Sequence, residues 1–128
     1  MEKTVRNYYA AVNRAIKDPS ALQSVSDLYT SACQQCAQDK MGIAQFHSKH
    51  ERLEGGGYKL ISVKAVASDE NGGGVTVTYT VPASVEYDRN SKIVARFPAH
   101  PKRSAGLTVR RASGKWLIGE YTLFGNTT

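Results

Sequence analysis

The apolar residues of this 128-residue chain change their spacing at one point, the run Gly55-Gly56-Gly57. Before it they recur with a helical period near 3.6, and after it they alternate with a period of 2. Residues 3–17 place Val5, Tyr8, Tyr9, Val12 and Ile16 on one stripe, which predicts an amphipathic helix. The helix should end at Asp18-Pro19, because Pro cannot continue the previous turn but suits the first turn of the next helix, with Asp18 as its cap. A short helix through Leu22, Val25 and Leu28 follows. Thr30-Ser31 then caps a third, longer helix along which Cys36, Ile43, Phe46, His50 and Leu53 recur. Gly42 interrupts that helix at a cost of about 1 kcal/mol relative to Ala. The three glycines supply the left-handed stop that a helix C-terminus prefers.

After the glycines, β-branched and aromatic residues take over, and strands are expected over 58–67, 75–81, 85–87, 92–97, 107–112 and 116–124. In the second of these, Val75, Val77, Tyr79 and Val81 share one face and Thr76, Thr78 and Thr80 the other. Residues 69–74 read as a turn, Pro82 as a bulge or edge, and 98–106 as a loop containing His100-Pro101-Lys102-Arg103. Helices followed by a meander of strands predict an α+β domain, with three N-terminal helices packed on an antiparallel sheet of four to six strands. No helix-length segment separates the strands, which disfavours a doubly wound fold. One domain over 1–128 follows, with helices across 3–54 and sheet across 58–124.

Composition excludes a disordered, collagen-like or coiled-coil chain, since 41% of residues are hydrophobic and 22% charged. No window approaches the ~20 apolar residues of a membrane span, and the first residues show no basic region leading into an apolar stretch. Met1 can be an added start codon, so a leader trimmed from a native precursor stays open. The net charge of +6 is unevenly spread: residues 86–128 carry eight Lys/Arg against three Asp/Glu. Arg96, Lys102, Arg103, Arg110 and Arg111 are the candidates for an anion-binding rim, set against the plain reading of a solvated surface. Single-strand nucleic-acid sites interleave such residues with stacking aromatics, and Phe97 is the only aromatic in the block before Trp116, which argues against specific nucleic-acid binding. Weak attraction to anionic lipid or polymer needs only the charge. The Asn126-Thr127-Thr128 sequon matters only where the source glycosylates.

Several segments together look familiar. Val5-Arg6-Asn7-Tyr8-Tyr9-Ala10-Ala11-Val12-Asn13, the Asp18-Pro19 break, the Gly-Gly-Gly-Tyr entry to the first strand, Val75-Thr76-Val77-Thr78-Tyr79 and Gly114-Lys115-Trp116-Leu117-Ile118 resemble the nuclear transport factor 2-like (cystatin-like cone) superfamily. The resemblance covers most of the chain. Within the superfamily it is most similar to an actinobacterial lipoprotein domain of unknown function, which also pairs two cysteines near the start of its third helix. The resemblance implies a strongly curved sheet that encloses, with the helices, a pocket open at one end.

Cys33-Gln34-Gln35-Cys36 allows a tight disulfide, a redox-active pair or half of a metal site. A redox pair of the thioredoxin kind follows a strand and opens a helix, whereas the residues ahead of Cys33 read as helix or turn. His47 and His50 complete a zinc-like spacing, but along one helix Cys36 and His47 lie about 16 Å apart, too far for one ion unless the chain bends at Gly42. The structural disulfide is the reading taken forward, with free thiols as the alternative. With the resemblance it implies an oxidising, extracytoplasmic site and a membrane-anchored lipoprotein precursor, while a cytoplasmic domain with reduced cysteines stays open.

Pocket candidates on the facing sides are Tyr9, Phe46, His50, Tyr79 and Trp116. His50, set between Phe46 and Leu53, is either a ligand anchor or a core histidine bonded to a neighbour. Catalytic relatives use a buried carboxylate or an Asp-His pair with Tyr, and no such constellation emerges from the strand carboxylates Glu86 and Glu120. No catalytic residue, cofactor or metal is assigned. The expected function is a non-enzymatic envelope domain that binds a small ligand or protein partner through the cone and its basic rim. The alternatives are a self-associating scaffold, resembling the periplasmic domains of conjugation or type IV secretion systems and dimerising through outward residues such as Thr76 and Thr78, and a small proton-transfer enzyme.

Overall fold

A computed structural model describes residues 1–126, with side chains described through Thr122. Helix α1 (Glu2–Lys17) buries Val5, Tyr8, Tyr9 and Val12 together with Ala11 and Ala15, the stripe that the spacing predicts. It stops at Asp18, whose carboxylate accepts from the Ser20 backbone N–H at 3.0 Å and from its hydroxyl at 2.7 Å, and Pro19 opens a single 3-10 turn. The short α2 (Leu22–Ser26) leads into an extended segment, where the Leu28 carbonyl and the Thr30 N–H bond the backbone of Ile118. Helix α3 (Gln34–Ser48) follows.

Two expectations about α3 fail. Its N-cap is Cys33 rather than Thr30-Ser31: the Cys33 sulfur accepts from the Cys36 N–H at 3.3 Å, and the two cysteines form the disulfide. Its C-terminus lies at Ser48 rather than near residue 54. The chain turns at His50, which takes a left-handed φ of 56°, and Arg52–Gly55 is strand β1. Leu53 fits the helical period by coincidence. As a strand residue it sits opposite Glu86 of β4 (Ser84–Tyr87). The three glycines therefore end a strand, not a helix. All three are left-handed, and a Cβ on Gly55 would overlap the Ala83 carbonyl oxygen.

The described residues form seven strands in two hydrogen-bonded sets, one more than the expected upper bound. β2 (Lys59–Asp69), β3 (Gly72–Val81), β6 (His100–Ala112) and β7 (Lys115–Asn126) form one antiparallel set in the order β2-β3-β6-β7, and β1, β4 and β5 (Ile93–Phe97) form the other in the order β1-β4-β5. The added strand is β1. The loop expected over 98–106 is confined to Pro98-Ala99: β6 starts at His100, and the register slips between Tyr79↔Arg103 and Val81↔His100, so that Pro101 and Lys102 of β6 stand opposite Thr80 alone. A bulge of this kind tolerates Pro101, whose ring lacks a donor for the ladder. The turn expected over 69–74 shrinks to Glu70-Asn71, held by Asp69 Oδ1, which accepts from the Asn71 and Gly72 N–H groups at 2.7 and 3.1 Å.

The alternation in β3 is as predicted. Val75, Val77 and Tyr79 are buried, while Thr76, Thr78 and Thr80 face outward and are half-buried. On β6, Leu107 opposite Val75, Ala105 opposite Val77 and Val109 opposite Gly73 are buried, and α1 lies across this apolar face. Burying one Leu- or Val-sized side chain contributes roughly 1.5–3 kcal/mol, so this shared layer holds helices and sheet together. Among the described residues no helix is long and apolar enough to cross a membrane.

Candidate functional site

The helices do not cover the whole concave face. Where α3 pulls away from the sheets, two cavities of about 360 and 300 Å³ open side by side and share Ile16, Asp39, Leu53 and Tyr58 as walls. The first is mostly apolar, lined by Val12, Ile43, Phe46 and Phe97, with Glu86 at its side. Gly42 widens it, since a Cβ there would meet nothing within 4 Å. The second is more polar: Gln35, Tyr79, Ser84, His100, Arg103 and Tyr121 line it, and Gly56 and Gly57 leave part of its wall without side chains. Each cavity falls within the size range of small-molecule sites, roughly 300–1,000 Å³.

Hydrogen bonds between the helices and the strand entries fix this frame. The Asn13 side chain donates to the Tyr58 carbonyl at 3.0 Å and accepts from the Tyr58 N–H at 2.8 Å. Lys17 Nζ donates to the carbonyls of Leu53 and Gly55 at 2.6 and 3.0 Å, and His47 Nε2 donates to the Ala15 carbonyl at 2.6 Å, tying α3 to α1. Behind the cavities the rings of Tyr9, Tyr58 and Tyr79 pack together, with Tyr58 4.9 Å from Tyr9 and 5.1 Å from Tyr79. Tyr9 Oη and Tyr121 Oη are hydrogen-bonded at 3.1 Å. Burial pushes the phenols of Tyr9, Tyr58 and Tyr121 well above their ordinary value, so near neutral pH they act as uncharged donors and acceptors.

Asp39 is the central titratable group. It projects from α3 into the wall common to both cavities and accepts from Gln35 Nε2 at 2.9 Å, one turn back on the same helix. Partial burial raises its carboxyl above the usual carboxylate range, and the Gln35 bond offsets part of that rise. A carboxyl in such a place can accept a hydrogen bond from a ligand or exchange a proton with it.

The predicted site residues divide. Phe46 lines the first cavity and Tyr79 the second, while Tyr9 is buried in the aromatic wall behind them. His50 is exposed and lines neither cavity, because α3 ends before it and the chain reverses there. Trp116 sits at the far end of the β6–β7 ladder, opposite Arg111, whose guanidinium carbon lies 5.4 Å from its ring. The basic candidates form no single rim. Arg96 is exposed on the edge strand β5, and Arg110 and Arg111 are exposed at one end of β6. Lys102 and Arg103 lie at the other end, about 26 Å from Arg111 at ~3.3 Å per strand residue. Of the five, Arg103 alone lines the cavities. Cys33 and Cys36 are disulfide-bonded and buried, and among the described residues no cluster of His, Cys, Asp and Glu could hold a metal. Two residues of the sequon, Thr127 and Thr128, lie outside the described residues.

Sequence reasoning missed Asp39, Tyr58, His100 and Tyr121. Asp39 stands on a helix rather than among the strand carboxylates, on the same helical stripe as Gln35, Ile43 and Phe46. Tyr121 was hidden by a bulge. Ile118 pairs with Val109 and Glu120 with Thr108, so Gly119 is the extra residue, and beyond it Tyr121 turns to the same inner face as Ile118.

No protein-family model and no curated protein sequence matches this chain. Solved structures do match it in fold. The intermembrane-space region of the chloroplast protein ARC6 superposes with a TM-score of 0.70 at 12% identity, over 98% of this chain and 94% of that one. A candidate dehydratase of the NTF2-like family from Streptomyces avermitilis superposes with a TM-score of 0.60 at 13% identity, over 98% and 93%. A Caulobacter vibrioides protein with a cystatin-like fold gives 0.56 at 13% identity, over 96% and 86%. Identities this low speak for architecture alone. The chain has the α+β, NTF2-like (cystatin-like) cone fold.

Proposed function

We propose that this domain binds a small, largely apolar molecule in the cleft between α3 and the two sheets, with Asp39 as its polar contact. The observation that carries this reading is the continuity of the two cavities through a wall that contains a half-buried carboxyl held, among the described residues, by one side-chain hydrogen bond. A group of this kind costs stability where it stands, and a ligand that donates to it offsets the cost. The disulfide supports an extracytoplasmic location, and the resemblance to a lipoprotein domain supports attachment at a bacterial envelope.

A titration of the 15N-labelled protein with 1-octanol, an uncharged apolar probe, tests the reading. Shifts concentrated in residues 38–46 and at Leu53 and Tyr58, lost in Phe46→Trp because the larger ring fills the cavity, are the expected result. Absence of shifts at millimolar octanol, or shifts confined to other surfaces, would refute it.

A second reading, proton transfer next to a carbonyl, is favoured by the raised carboxyl of Asp39 among neutral tyrosine hydroxyls. It requires that the protein accelerate solvent-deuterium exchange at the α-carbon of a bound ketone. Asp39→Asn should abolish that acceleration.

A further inference from the structure

In an antiparallel pair, directly opposed residues point to the same face of the sheet. The register of β3 with β6 sets Val75 opposite Leu107, Val77 opposite Ala105 and Tyr79 opposite Arg103. The first two pairs are buried in the core and Tyr79 is buried at the cavity wall, so Arg103 is the charged end of an apolar row that points into the cone. An inward guanidinium is normally answered by a carboxylate, since a charge leaving water must be paired or hydrogen-bonded. Here it is not. Among the described residues the one ion pair is Arg52 with Glu54 on the surface, and Arg103 Nε is buried without a hydrogen-bond partner. Asp39, the acid lining the same cavity, forms no ion pair with it.

The groups beside Arg103 are those that complete an anion site. His100 lines the same cavity three residues earlier on β6, and the hydroxyls of Tyr79 and Tyr121 add neutral donors. Gly56 and Gly57 leave room in the wall. On the far side of Ile16, Asp39 and Leu53 lies the apolar cavity with Ile43 and Phe46. The two halves make opposite demands, one for a planar anion with two acceptor oxygens and one for hydrocarbon.

We infer that the cleft takes an apolar carboxylate, its head group held by the Arg103 guanidinium with His100 and its hydrocarbon body lying past Asp39 against Phe46. The inference rests on the cleft-binding reading above, adds the ligand's charge and direction, and makes Arg103 rather than Asp39 the contact of the head group. Arg recognises a carboxylate in bidentate geometry, which a neutral hydroxyl cannot reproduce. Glu86 sets the direction, because it lines the apolar cavity and not the Arg103 cavity, so a head group there would meet a like charge with no guanidinium to answer it.

The experiment compares octanoate with 1-octanol, chains of equal length that differ in the head group, by calorimetry and NMR at pH 7.5 on the whole chain. Octanoate should bind at least about tenfold more tightly, the step that one added charge-assisted hydrogen bond supplies. It should also shift the Arg103 Nε–H resonance, which octanol leaves in place. Arg103→Gln should weaken octanoate to the affinity of octanol, and Arg103→Lys should retain part of the preference as a point charge. The wild-type comparison and the Nε–H shift stand even where Arg103→Gln does not fold. Equal affinity of the two probes, or octanoate binding with the Arg103 resonance unmoved, would overturn the carboxylate assignment and leave the cleft-binding reading standing. Failure of both probes to bind would remove both.

Discussion

Reduction of the Cys33–Cys36 bridge should loosen the first turn of α3 without unfolding the domain. The bridge closes a loop of four residues, for which the chain-entropy relation gives roughly 6 cal/mol/K, or about 2 kcal/mol at 25 °C. Both sulfurs are buried in the core, so reduction leaves the packing in place and removes mainly the constraint. The Cys33 sulfur is also the N-cap acceptor for Cys36 N–H, and a weakened cap costs up to about 1 kcal/mol more. The sum is well under the 5–15 kcal/mol that typically separates folded from unfolded domains. Gln35 and Asp39 lie in the first two turns of this helix, so the loss should fall on the cavity wall. Urea unfolding with and without a phosphine reductant measures the free energy, and amide exchange of residues 34–39 against 5–15 measures its location. Faster exchange confined to 34–39, with a loss near 2 kcal/mol, is expected. A loss above about 4 kcal/mol would mean that the bridge holds the whole fold, and a loss below about 0.5 kcal/mol with unchanged exchange would mean that it constrains nothing; either refutes the reasoning.

The two adjacent tyrosines of α1 should respond oppositely to loss of their hydroxyls. Tyr8 Oη is buried without a partner among the described residues, so Tyr8→Phe should be neutral or stabilising by up to about 1 kcal/mol, whereas Tyr9→Phe breaks the bond to Tyr121 and should cost about 1 kcal/mol. Equal losses in urea melts would show that the Tyr8 hydroxyl is bonded after all. For Asp39, burial raises the folded-state carboxyl above its unfolded value, so its favourable contribution is complete below the unfolded value and is lost as pH rises through the folded one. Asp39→Asn should therefore melt higher than wild type near neutral pH, and the gap should close on acidification; a gap that widens at low pH would reverse the assignment. His50→Asn keeps the left-handed turn and touches neither cavity, so stability should stay within about 0.5 kcal/mol and octanol affinity should be unchanged, as melting and NMR titration can check.

The parts of the fold that could be read from the sequence are those in which one local pattern has one structural solution. The stripe of Val5, Tyr8, Tyr9 and Val12 can be buried only by a helix, and the alternation through Val75, Val77 and Tyr79 only by a strand. What escaped depends on partners distant in the chain. Leu53 fits the helical period equally well, and only its pairing with Glu86 makes it a strand residue. Pro98 and Pro101 argue locally for a loop, which holds for Pro98 between β5 and β6, while a bulge against β3 carries Pro101 within the strand. The same device at Gly119 turns Tyr121 inward against strict alternation. Site residues were lost for the same reason. Asp39 reads as one more polar position on a weakly patterned helix until α3 is placed beside a cavity, and Arg103 as one of eight basic residues in the last third until its register with Tyr79 is known.

That last case changes what the net charge of +6 means for function. Exposed charges such as Arg96, Arg110 and Arg111 stand apart in a high-dielectric solvent and are screened over about 8 Å at physiological salt, so they add weak, unspecific attraction. Arg103 and Asp39 stand in a different medium. Each is half-buried, each lines the same cavity, and among the described residues neither forms an ion pair. A core selected for stability alone would bring them together or replace both with apolar side chains, since two separated, half-buried charges carry their desolvation cost without the attraction that offsets it. A molecule with an anionic head and an apolar body supplies the missing partner on the Arg103 side and displaces water from the Phe46 side. Binding of such a molecule would thus convert the cost of two separated charges into selectivity.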